Sequence, residues 1–421
     1  MFNTRRRIAF TGSLLCLSAT LGIAACASQP GSTTVRIGAI FPLSGSTEEG
    51  AADEYLGASI AADMQNSAGG AGGRRIELDL RDVESLAGVQ SAVDRLRSDH
   101  VTAVIGAYSS SLSLPASAAV ARAGMVYWET GAVADQVTGQ GSPLIFRVGA
   151  DGADLGGNSG RFVVDELAPR LHRRPDELRA VLVTADDAYA HSVAAGVRTA
   201  LGSGGVTAID EVAYNPYTPN WPGVVTAVAS SRANVLLLSS HIPDGIAFRR
   251  AFLAAHLHVD AFIGTTMAQC NPEFATALGD GAVGVFGSDR PEYHFNPAVL
   301  RPDARAVFDG FATRWHQQTG TDPTEEGVSG FAAAWVLFHD VLPGSDGLSA
   351  EAIAGHATAL DLPAGSLANG AGVRFATSPA RLGQNLRSAA VMWQWQAAGQ
   401  YVVVWPPAYA TGEVRMVPLP A

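Results

Sequence analysis

A run of three serines stands where an apolar segment of the sequence gives way to a different pattern. The serines Ser109, Ser110 and Ser111 belong to GAYSSSLSLPAS (residues 106–117), directly after the apolar letters VTAVI. The pattern predicts a strand before them and a helix after them. The start of a helix offers unpaired backbone N–H groups and a positive dipole end. Added hydroxyls would suit a carboxylate or similar polar group there; the alternative is that one serine caps the helix and the others face solvent.

Predicted strands and helices alternate along the chain and must position this serine run. TTVRIGAIF, RRIELDLRD, VTAVIGAY and MVYWET read as strands separated by helical segments, and the alternation restarts after LIFRVG with LRAVLVTA, VTAIDEVAY, ANVLLLSS and AFIGTT. This order favours parallel sheets with helices on both faces. The predicted fold class is α/β, with two Rossmann-like lobes joined by hinge strands. We expect the chain to cross between lobes at residues 147–149, 286–290 and within 367–375.

Ligands of such sheets bind beyond the carboxyl ends of the strands. The corresponding loops are FPLSGST, GAYSSS and WETGAV in one lobe and TADDAY, SSHIPD and GTTMAQ in the other. The end of the chain, VMWQWQAAGQYVVVWPP, predicts a hairpin. In it Trp393 and Trp395 alternate with polar residues, as on a half-buried antiparallel strand.

Composition excludes several classes of function. The 421 residues are 47% hydrophobic and 16% charged, with a net charge of -11. Nucleic-acid binding would need a basic surface. All 28 basic residues are arginine, so a Schiff-base lysine, a P-loop lysine and a kinase lysine are all lacking. The sequence holds none of the G-x-S-x-G, H-E-x-x-H or C-x-x-C motifs. We therefore expect no catalysis, no cofactor, no metal site and no nucleic-acid partner.

The N-terminus has the pattern of an export signal. Three arginines at positions 5–7 precede an apolar stretch that ends in GIAAC, and a polar segment follows. Residues 1–25 are predicted to be a signal peptide, and the letters before Cys26 resemble a lipoprotein cleavage site. Cys26 would carry the lipid and residues 26–34 would form a tether; the alternative is secretion without a lipid. Cys270 is then the one cysteine left in the body of the protein, and we expect a buried thiol.

An ordered set of segments resembles the type I periplasmic solute-binding proteins, and within them the leucine/isoleucine/valine-binding receptors of branched-chain amino-acid importers. The segments are VRIGAIFPLSG, VTAVIGAYSSSLSLPAS, GMVYWETGAVADQVT, IFRVG, TADDAYAHS and VMWQWQAAGQYVVVWP. The resemblance implies lobes formed by residues 35–147 plus 290–366 and by residues 148–289 plus 367–421. It also implies a ligand cleft between the lobes.

The resemblance also implies a set of ligand-binding residues. Ser110, with its two serine neighbours, would bind the ligand carboxylate, and the backbone at Gly131 and Ala132 would make further contacts. Tyr189 and His241 fall where the second lobe of the family carries aromatic residues. The complete predicted set is Tyr108, Ser109, Ser110, Ser111, Glu129, Gly131, Ala132, Val133, Tyr189, His241, Thr266 and Met267.

Three positions depart from the family pattern. By this resemblance, Val133 stands where the family has a hydroxyl residue, and Thr266 where it has the acid that pairs with a ligand ammonium group. The family's aromatic residue of the first loop falls near Gly50. A buried ammonium group without a carboxylate partner is costly. Glu129 is one candidate substitute, unless it is an exposed loop carboxylate.

For several residues near the predicted site, the sequence leaves two roles open. Asp186 or Asp187 could also replace the missing acid. His241 either contacts the ligand or lies apart from it on the surface. Tyr108 and Trp128 either stack on a flat ligand or belong to the core.

The resemblance implies an exported, lipid-anchored receptor that delivers a small polar ligand to the permease of an ABC importer. The ligand would be an amino acid or a related carboxylate or amide. The same fold could instead report its ligand to a membrane signalling partner. A hydrolase built on the fold is the third possibility, and Ser110 would then be its nucleophile. Contact with the membrane is expected through the lipid alone.

Overall fold

A computed structural model describes residues 33–44 and 48–416 of the chain. The first of its two sheets is built from β1 (Thr34–Phe41), β2 (Arg75–Asp82), β3 (Ala103–Gly106), β4 (Val126–Glu129) and β5 (Ile145–Arg147). All neighbouring pairs are parallel, in the order β2-β1-β3-β4-β5. Buried β-branched and aromatic side chains occupy both faces of the inner strands, which is typical of a sheet covered by helices on both sides.

Helices cover the two faces of the first sheet. They are α1 (Glu48–Ser67), α2 (Leu86–Ser98) and α3 (Ser110–Arg122), and, from later in the chain, α10 (Pro302–Thr319), α11 (Glu325–Trp335) and α12 (Ala350–Ala359). One apolar cluster joins one face of the sheet to α1, α10, α11 and α12. A second cluster joins the opposite face to α2 and α3.

The helices α1 and α11 pack closely because each offers a glycine at the crossing. A Cβ atom on Gly57 would collide with the backbone of Gly327, and one on Gly330 would collide with the backbone of Glu54. Only residues without a side chain allow this approach. The crossing therefore sets Glu54 of α1 against the first turns of α11.

The second sheet has seven strands, in the order β12-β11-β10-β9-β8-β6-β7. They are β6 (Arg179–Ala185), β7 (Ala208–Tyr214), β8 (Val235–Ser239), β9 (Ala261–Thr265), β10 (Phe286–Asp289), β11 (Val391–Ala397) and β12 (Gln400–Trp405). The five strands from β6 to β10 pair in parallel, whereas β11 pairs antiparallel with β10 and with β12. The predictions of two parallel α/β sheets and of a final hairpin are confirmed.

Helices cover the second sheet in the same way. They are α4 (Gly152–Phe162), which continues through a π-helical turn into the short α5 (Ala168–Arg170), then α6 (Ala188–Ser203), α7 (Trp221–Ser231), α8 (Ile242–Ala254) and α9 (Pro272–Leu278). A single apolar cluster joins these helices to the sheet. Within residues 33–44 and 48–416, no helix has the length and apolarity required to cross a bilayer.

The strand β11 is buried on both faces, so the prediction of a half-buried strand was wrong. Trp393 and Trp395 are 1% exposed, and Gln394 between them is fully buried. The amide nitrogen of Gln394 donates to the carbonyl of Arg415 at 2.6 Å. The C-terminal segment thus covers the face of β11 that carries Gln394, which the alternation of polar residues had predicted to be exposed to solvent.

The connection between the two sheets is held by two buried amides, Gln384 and Asn385. The Oε1 atom of Gln384 accepts from Nε of Arg147 at 2.7 Å, and Nδ2 of Asn385 donates to the carbonyl of Val148 at 2.8 Å. The preceding Phe375 still packs on Trp128 in the first core. The third crossing therefore falls between Gln384 and the start of β11, later than the predicted 367–375. The lobe boundaries as a whole stay a prediction.

Candidate functional site

Both sheets reverse their strand order next to the predicted loops. The first sheet reverses between β1 and β3, and the second between β6 and β8. Such switch points are where open α/β sheets bind ligands. Ser110 follows β3, while Tyr189 and His241 follow β6 and β8, with their rings 5.2 Å apart.

The three serines begin helix α3, as the sequence predicts. Ser109 is the N-cap residue, but its hydroxyl makes no capping bond and lies 3.3 Å from that of Ser111. The buried hydroxyl of Ser110 accepts from the backbone N–H of Ala134 at 3.1 Å. This bond leaves the hydroxyl proton of Ser110 available to a ligand acceptor at the positive end of the helix. A direct role in binding a carboxylate stays a prediction.

Glu129 organises its own loop. It is fully buried, so the alternative of an exposed loop carboxylate was wrong. Its Oε1 atom accepts from the backbone N–H groups of Thr130, Gly131 and Ala132 at 3.0, 3.0 and 2.8 Å. Burial raises the pKa of Glu129, and the bond from Gly131 opposes that rise. Because its bonds serve the loop, Glu129 has little capacity left for a ligand.

Two buried arginines fix the carbonyl groups of the same loop. Nη1 of Arg290 donates to the carbonyl of Gly131 at 2.8 Å. Nη1 of Arg147 donates to the carbonyls of Ala132 at 2.9 Å and Ala134 at 3.0 Å. The backbone at Gly131 and Ala132, predicted to contact the ligand, is thus already hydrogen-bonded within the protein.

Val133 lies at the contact between the two halves of the molecule, each of which is one sheet with the helices that cover it. Its side chain is 5% exposed and packs in the apolar cluster of the second sheet. Its carbonyl accepts from the N–H of Gly152, at the start of α4, at 2.7 Å. Valine at this position contributes apolar contact across the two halves, where the family pattern has a hydroxyl group.

More bonds cross between the halves around Asp135. Its Oδ1 atom accepts from the N–H of Ala153 at 3.0 Å, and its own N–H donates to the hydroxyl of Ser192 at 3.1 Å. The hydroxyl of Ser192 donates in turn to Gln136 at 3.1 Å. Burial, and then the nearby charge of Asp151, raise the pKa of Asp135 to about 6.

Tyr189 lies on the second half and is 5% exposed. Its hydroxyl lies 3.1 Å from the carbonyls of Ser240 and of Thr265, and it also contacts the hydroxyl of Thr266. Thr266 and Met267 both have positive φ angles, 59° and 57°. Thr266, predicted to stand where the family has an acid, thus forms a hydrogen bond with Tyr189. Met267 is half-buried.

His241 is half-exposed, and its Nε2 lies 2.7 Å from Oδ2 of Asp187. Burial alone would lower the pKa of His241, but the hydrogen bond and charge of Asp187 outweigh it and raise the pKa. Asp187 also caps α6 by accepting from the N–H of Ala190 at 2.9 Å. Asp186 instead faces His191 at an exposed position.

Tyr108 and Trp128 have different surroundings. Trp128 is fully buried, donates to the carbonyl of Ala333 at 2.8 Å and packs on Phe146. The alternative in which it stacks on a ligand was therefore wrong. Tyr108 is half-buried, and its ring lies against the backbone of Gly50.

Sequence reasoning missed a group of acids beside this tyrosine. Glu54 is fully buried, and its Oε1 accepts from the hydroxyl of Thr130, whereas its Oε2 has no hydrogen-bond partner among the described residues. The first turn of α11 adds Glu325 and Glu326. The one available sequence signal was the pair of acids in TDPTEEG, typical of a helix start, and it does not reveal what faces them.

The remaining predictions concern the cysteines and metal binding. Cys270 is a free thiol that is half-buried, so the expectation of a buried thiol was wrong. Its pKa is raised well above the ordinary value, first by desolvation. In the described parts of the chain, no cluster of three or more His, Cys, Asp or Glu side chains is placed to hold a metal ion. Cys26 and the predicted signal peptide lie outside the described residues.

Comparison with known proteins gives consistent matches over nearly the whole chain. Residues 34–398 match the periplasmic binding protein family. The Leu/Ile/Val-binding protein homolog 8 of Brucella suis biovar 1 (strain 1330) is 28% identical over 407 residues, covering 96% of this chain and 98% of the relative. Homolog 7 of Brucella melitensis biotype 1 is 25% identical over 405 residues, with the same coverages.

Solved structures share the fold. A branched-chain amino acid transporter substrate-binding protein from Streptococcus pneumoniae, in complex with isoleucine, superposes with a TM-score of 0.70 at 17% identity, covering 89% of this chain and 100% of that one. A solute-binding protein of an ABC transporter from R. palustris, in complex with benzoate, gives a TM-score of 0.70 at 17% identity, with coverages of 90% and 98%. These likenesses support the predicted two-lobed fold.

Proposed function

Because the chain belongs to the periplasmic binding protein family, we propose that it is the extracytoplasmic substrate-binding protein of an ABC importer. It would close its two lobes on a small polar ligand, either an amino acid or a related carboxylate or amide. A lipid on Cys26 would hold it at the membrane, where it would deliver the ligand to a permease.

The observation that carries this proposal is the meeting of the two switch points. Ser110, at the start of α3, and Tyr189, at the start of α6, lie beyond the carboxyl ends of strands in different sheets. Ala188, next to Tyr189, packs against the apolar cluster that joins α2 and α3 to the first sheet. The starts of these two helices therefore lie close together, and each carries a hydroxyl group, which supports a ligand site between them.

The contacts between the halves support a mechanism of closure. The bonds from Asp135 to Ala153 and to Ser192 join the first half to α4 and α6 of the second. Closure of two lobes around a hinge buries a ligand and forms a new surface for a partner. In this mechanism the proposed ligand carboxylate would lie at α3, and Tyr189 and His241 would complete the enclosure.

A thermal-shift screen of the mature chain tests the proposal. The panel holds branched, aromatic and basic amino acids, the corresponding acids without the amino group, short amides and urea. A ligand at about 100 times its dissociation constant stabilises the folded state by roughly 2.7 kcal/mol. We expect at least one member of the panel to raise the melting temperature in a saturable way. A chain that responds to none of them, and to no wider set of small carboxylates, would contradict the proposal.

A further inference from the structure

Three polar groups beside the serine run have no hydrogen-bond partner on any other described residue. They are Oε2 of Glu54, the carboxylate of Glu326 and the hydroxyl of Tyr108. Glu54 is fully buried. A buried carboxylate oxygen without a donor is costly, and proteins pair such groups or reserve them for a ligand.

Close contacts place Glu54 and Tyr108 on the same side of α1, near the start of α11. A Cβ atom on Gly131 would collide with Oε2 of Glu54, so that oxygen lies directly against the loop after β4. Tyr108 is the residue before Ser109, and the charges of Glu326 and Glu54 both act on its phenol. The acids therefore adjoin the predicted carboxylate site, on the side of α1 and α11.

The nearest cation is already engaged. Nη2 of Arg290 donates to Oε2 of Glu325 at 3.2 Å. Nε of Arg290 lies 2.7 Å from Oε1 of Glu325, which is an ion-pair contact whose geometry does not meet that of a hydrogen bond. Nη1 of Arg290 is bonded to the carbonyl of Gly131. Asp289 adds a further acid to this arginine. Arg290 thus pairs with Glu325. Its charge also acts on Glu54, but it donates no hydrogen bond to Glu54 or to Glu326.

We propose that Glu54, Glu326 and Tyr108 form a subsite for a positively charged group of the ligand. The substrate is then a carboxylic acid whose side chain carries an ammonium or guanidinium group, as in a basic amino acid. Its carboxylate binds at the start of α3, and its cationic end binds beside the crossing of α1 and α11. This inference rests on the proposed function and specifies its substrate class.

Tyr108 fits the same ligand group. A Cβ atom on Gly50 would collide with the hydroxyl of Tyr108, so this phenol lies directly against α1. A phenol hydroxyl can accept a hydrogen bond from a cationic donor. Tyr108 would therefore add a third acceptor to the two acids.

Isothermal titration of the mature chain with lysine and norleucine tests the inference, because the two ligands differ chiefly in the terminal ammonium group. We expect lysine or arginine to bind roughly 10- to 100-fold more tightly than norleucine. Glu326→Gln should remove that advantage. Glu351→Gln is the matched control, since Glu351 is exposed and holds the same second position of a helix, α12. Tyr108→Phe is the second variant, should Glu326→Gln fail to fold.

Each outcome is decisive for the subsite. Norleucine binding as tightly as lysine, or Glu326→Gln and Tyr108→Phe both leaving lysine binding unchanged, overturns the subsite while the proposed function stands. A protein that binds only acids or amides without a positive charge also overturns the subsite and leaves the proposed function standing. A protein that binds no member of the screening panel overturns both the subsite and the proposed function.

Discussion

Tyr108 occupies the space next to the backbone of Gly50, so closely that a Cβ atom at position 50 would collide with the phenol hydroxyl. The two residues come from different elements, the loop after β3 and the first turn of α1. Their contact fixes how near the serine run lies to the helix that carries Glu54. The size of residue 50 should therefore affect both stability and the shape of the site.

Gly50→Ala should destabilise the protein. Alanine is normally favoured over glycine within a helix by roughly 0.5–1 kcal/mol. At position 50 the added methyl group would displace the half-buried ring of Tyr108, and overpacking of this kind costs about 1–3 kcal/mol. Urea denaturation would measure the loss. The control is Gly355→Ala in α12, where a Cβ atom meets nothing within 4 Å and a gain in stability is expected. Equal effects at both positions would refute the contact.

Ser110→Ala should lower both stability and ligand affinity. The substitution leaves the buried N–H of Ala134 without its acceptor, which costs about 1–3 kcal/mol. A ligand carboxylate would lose a donor as well. Ser111→Ala is the control, because its exposed hydroxyl contacts only that of Ser109 among the described residues. If Ser110→Ala loses stability but binds ligand with unchanged affinity, the hydroxyl serves the loop alone.

Asp135 should make stability depend on pH. Its pKa is about 6 in the folded protein, against about 3.9 in an unfolded chain. The folded state therefore binds the proton more tightly. The contribution of Asp135 to the free energy of unfolding should be greatest below about pH 4, decline as the pH rises to about 6, and stay level above that.

Asp135→Asn should remove that decline, by about 1–3 kcal/mol, while its Oδ1 still accepts from Ala153. Urea denaturation at pH 4, 5, 6 and 7 would measure the difference from the wild type. Asp303→Asn, at an exposed position in the first turn of α10, is the control. A wild-type curve with the same slope as the Asp135→Asn curve would count against the assignment.

Cys26→Ser should release the exported protein from the membrane. A lipid attached at this position is the membrane anchor that the sequence predicts. Fractionation of expressing cells, followed by immunoblotting, would show the wild type in the membrane fraction and the variant in the soluble fraction. Retention of the variant in the membrane fraction would refute lipid attachment at Cys26.

Local patterns in the sequence predicted the architecture well. The alternation of apolar runs with helical segments predicted the parallel strands of both sheets. The antiparallel final hairpin was predicted from two strand-like segments separated by a short turn. The third crossing was misplaced because Leu367–Phe375 has no local signal that separates a core segment from a hinge. Its position depends on Phe375 packing against Trp128, a contact between residues far apart in the sequence.

The site was less predictable, for a physical reason that Glu129 and Glu54 illustrate. A carboxylate in a loop is usually exposed, but three backbone N–H groups stabilise Glu129 in the interior. Glu54 lies in a helical segment whose sequence gives no indication that the Glu54 side chain is buried. Its surroundings depend on the crossing of α1 and α11, which lie far apart in the chain. Burial and pairing of this kind become visible only when both helices are in place.

The close packing of α1 and α11 has a consequence for the thermodynamics of binding. Because the backbones touch at Gly57 and Gly330, we expect the two helices to move as one piece, and Glu54 and Glu326 would then keep their spacing during the proposed closure. A ligand would then lose little free energy in ordering the acids. Preorganisation of this kind strengthens binding without adding any contact, and the entropic cost of recognition falls chiefly on the movement of the second lobe.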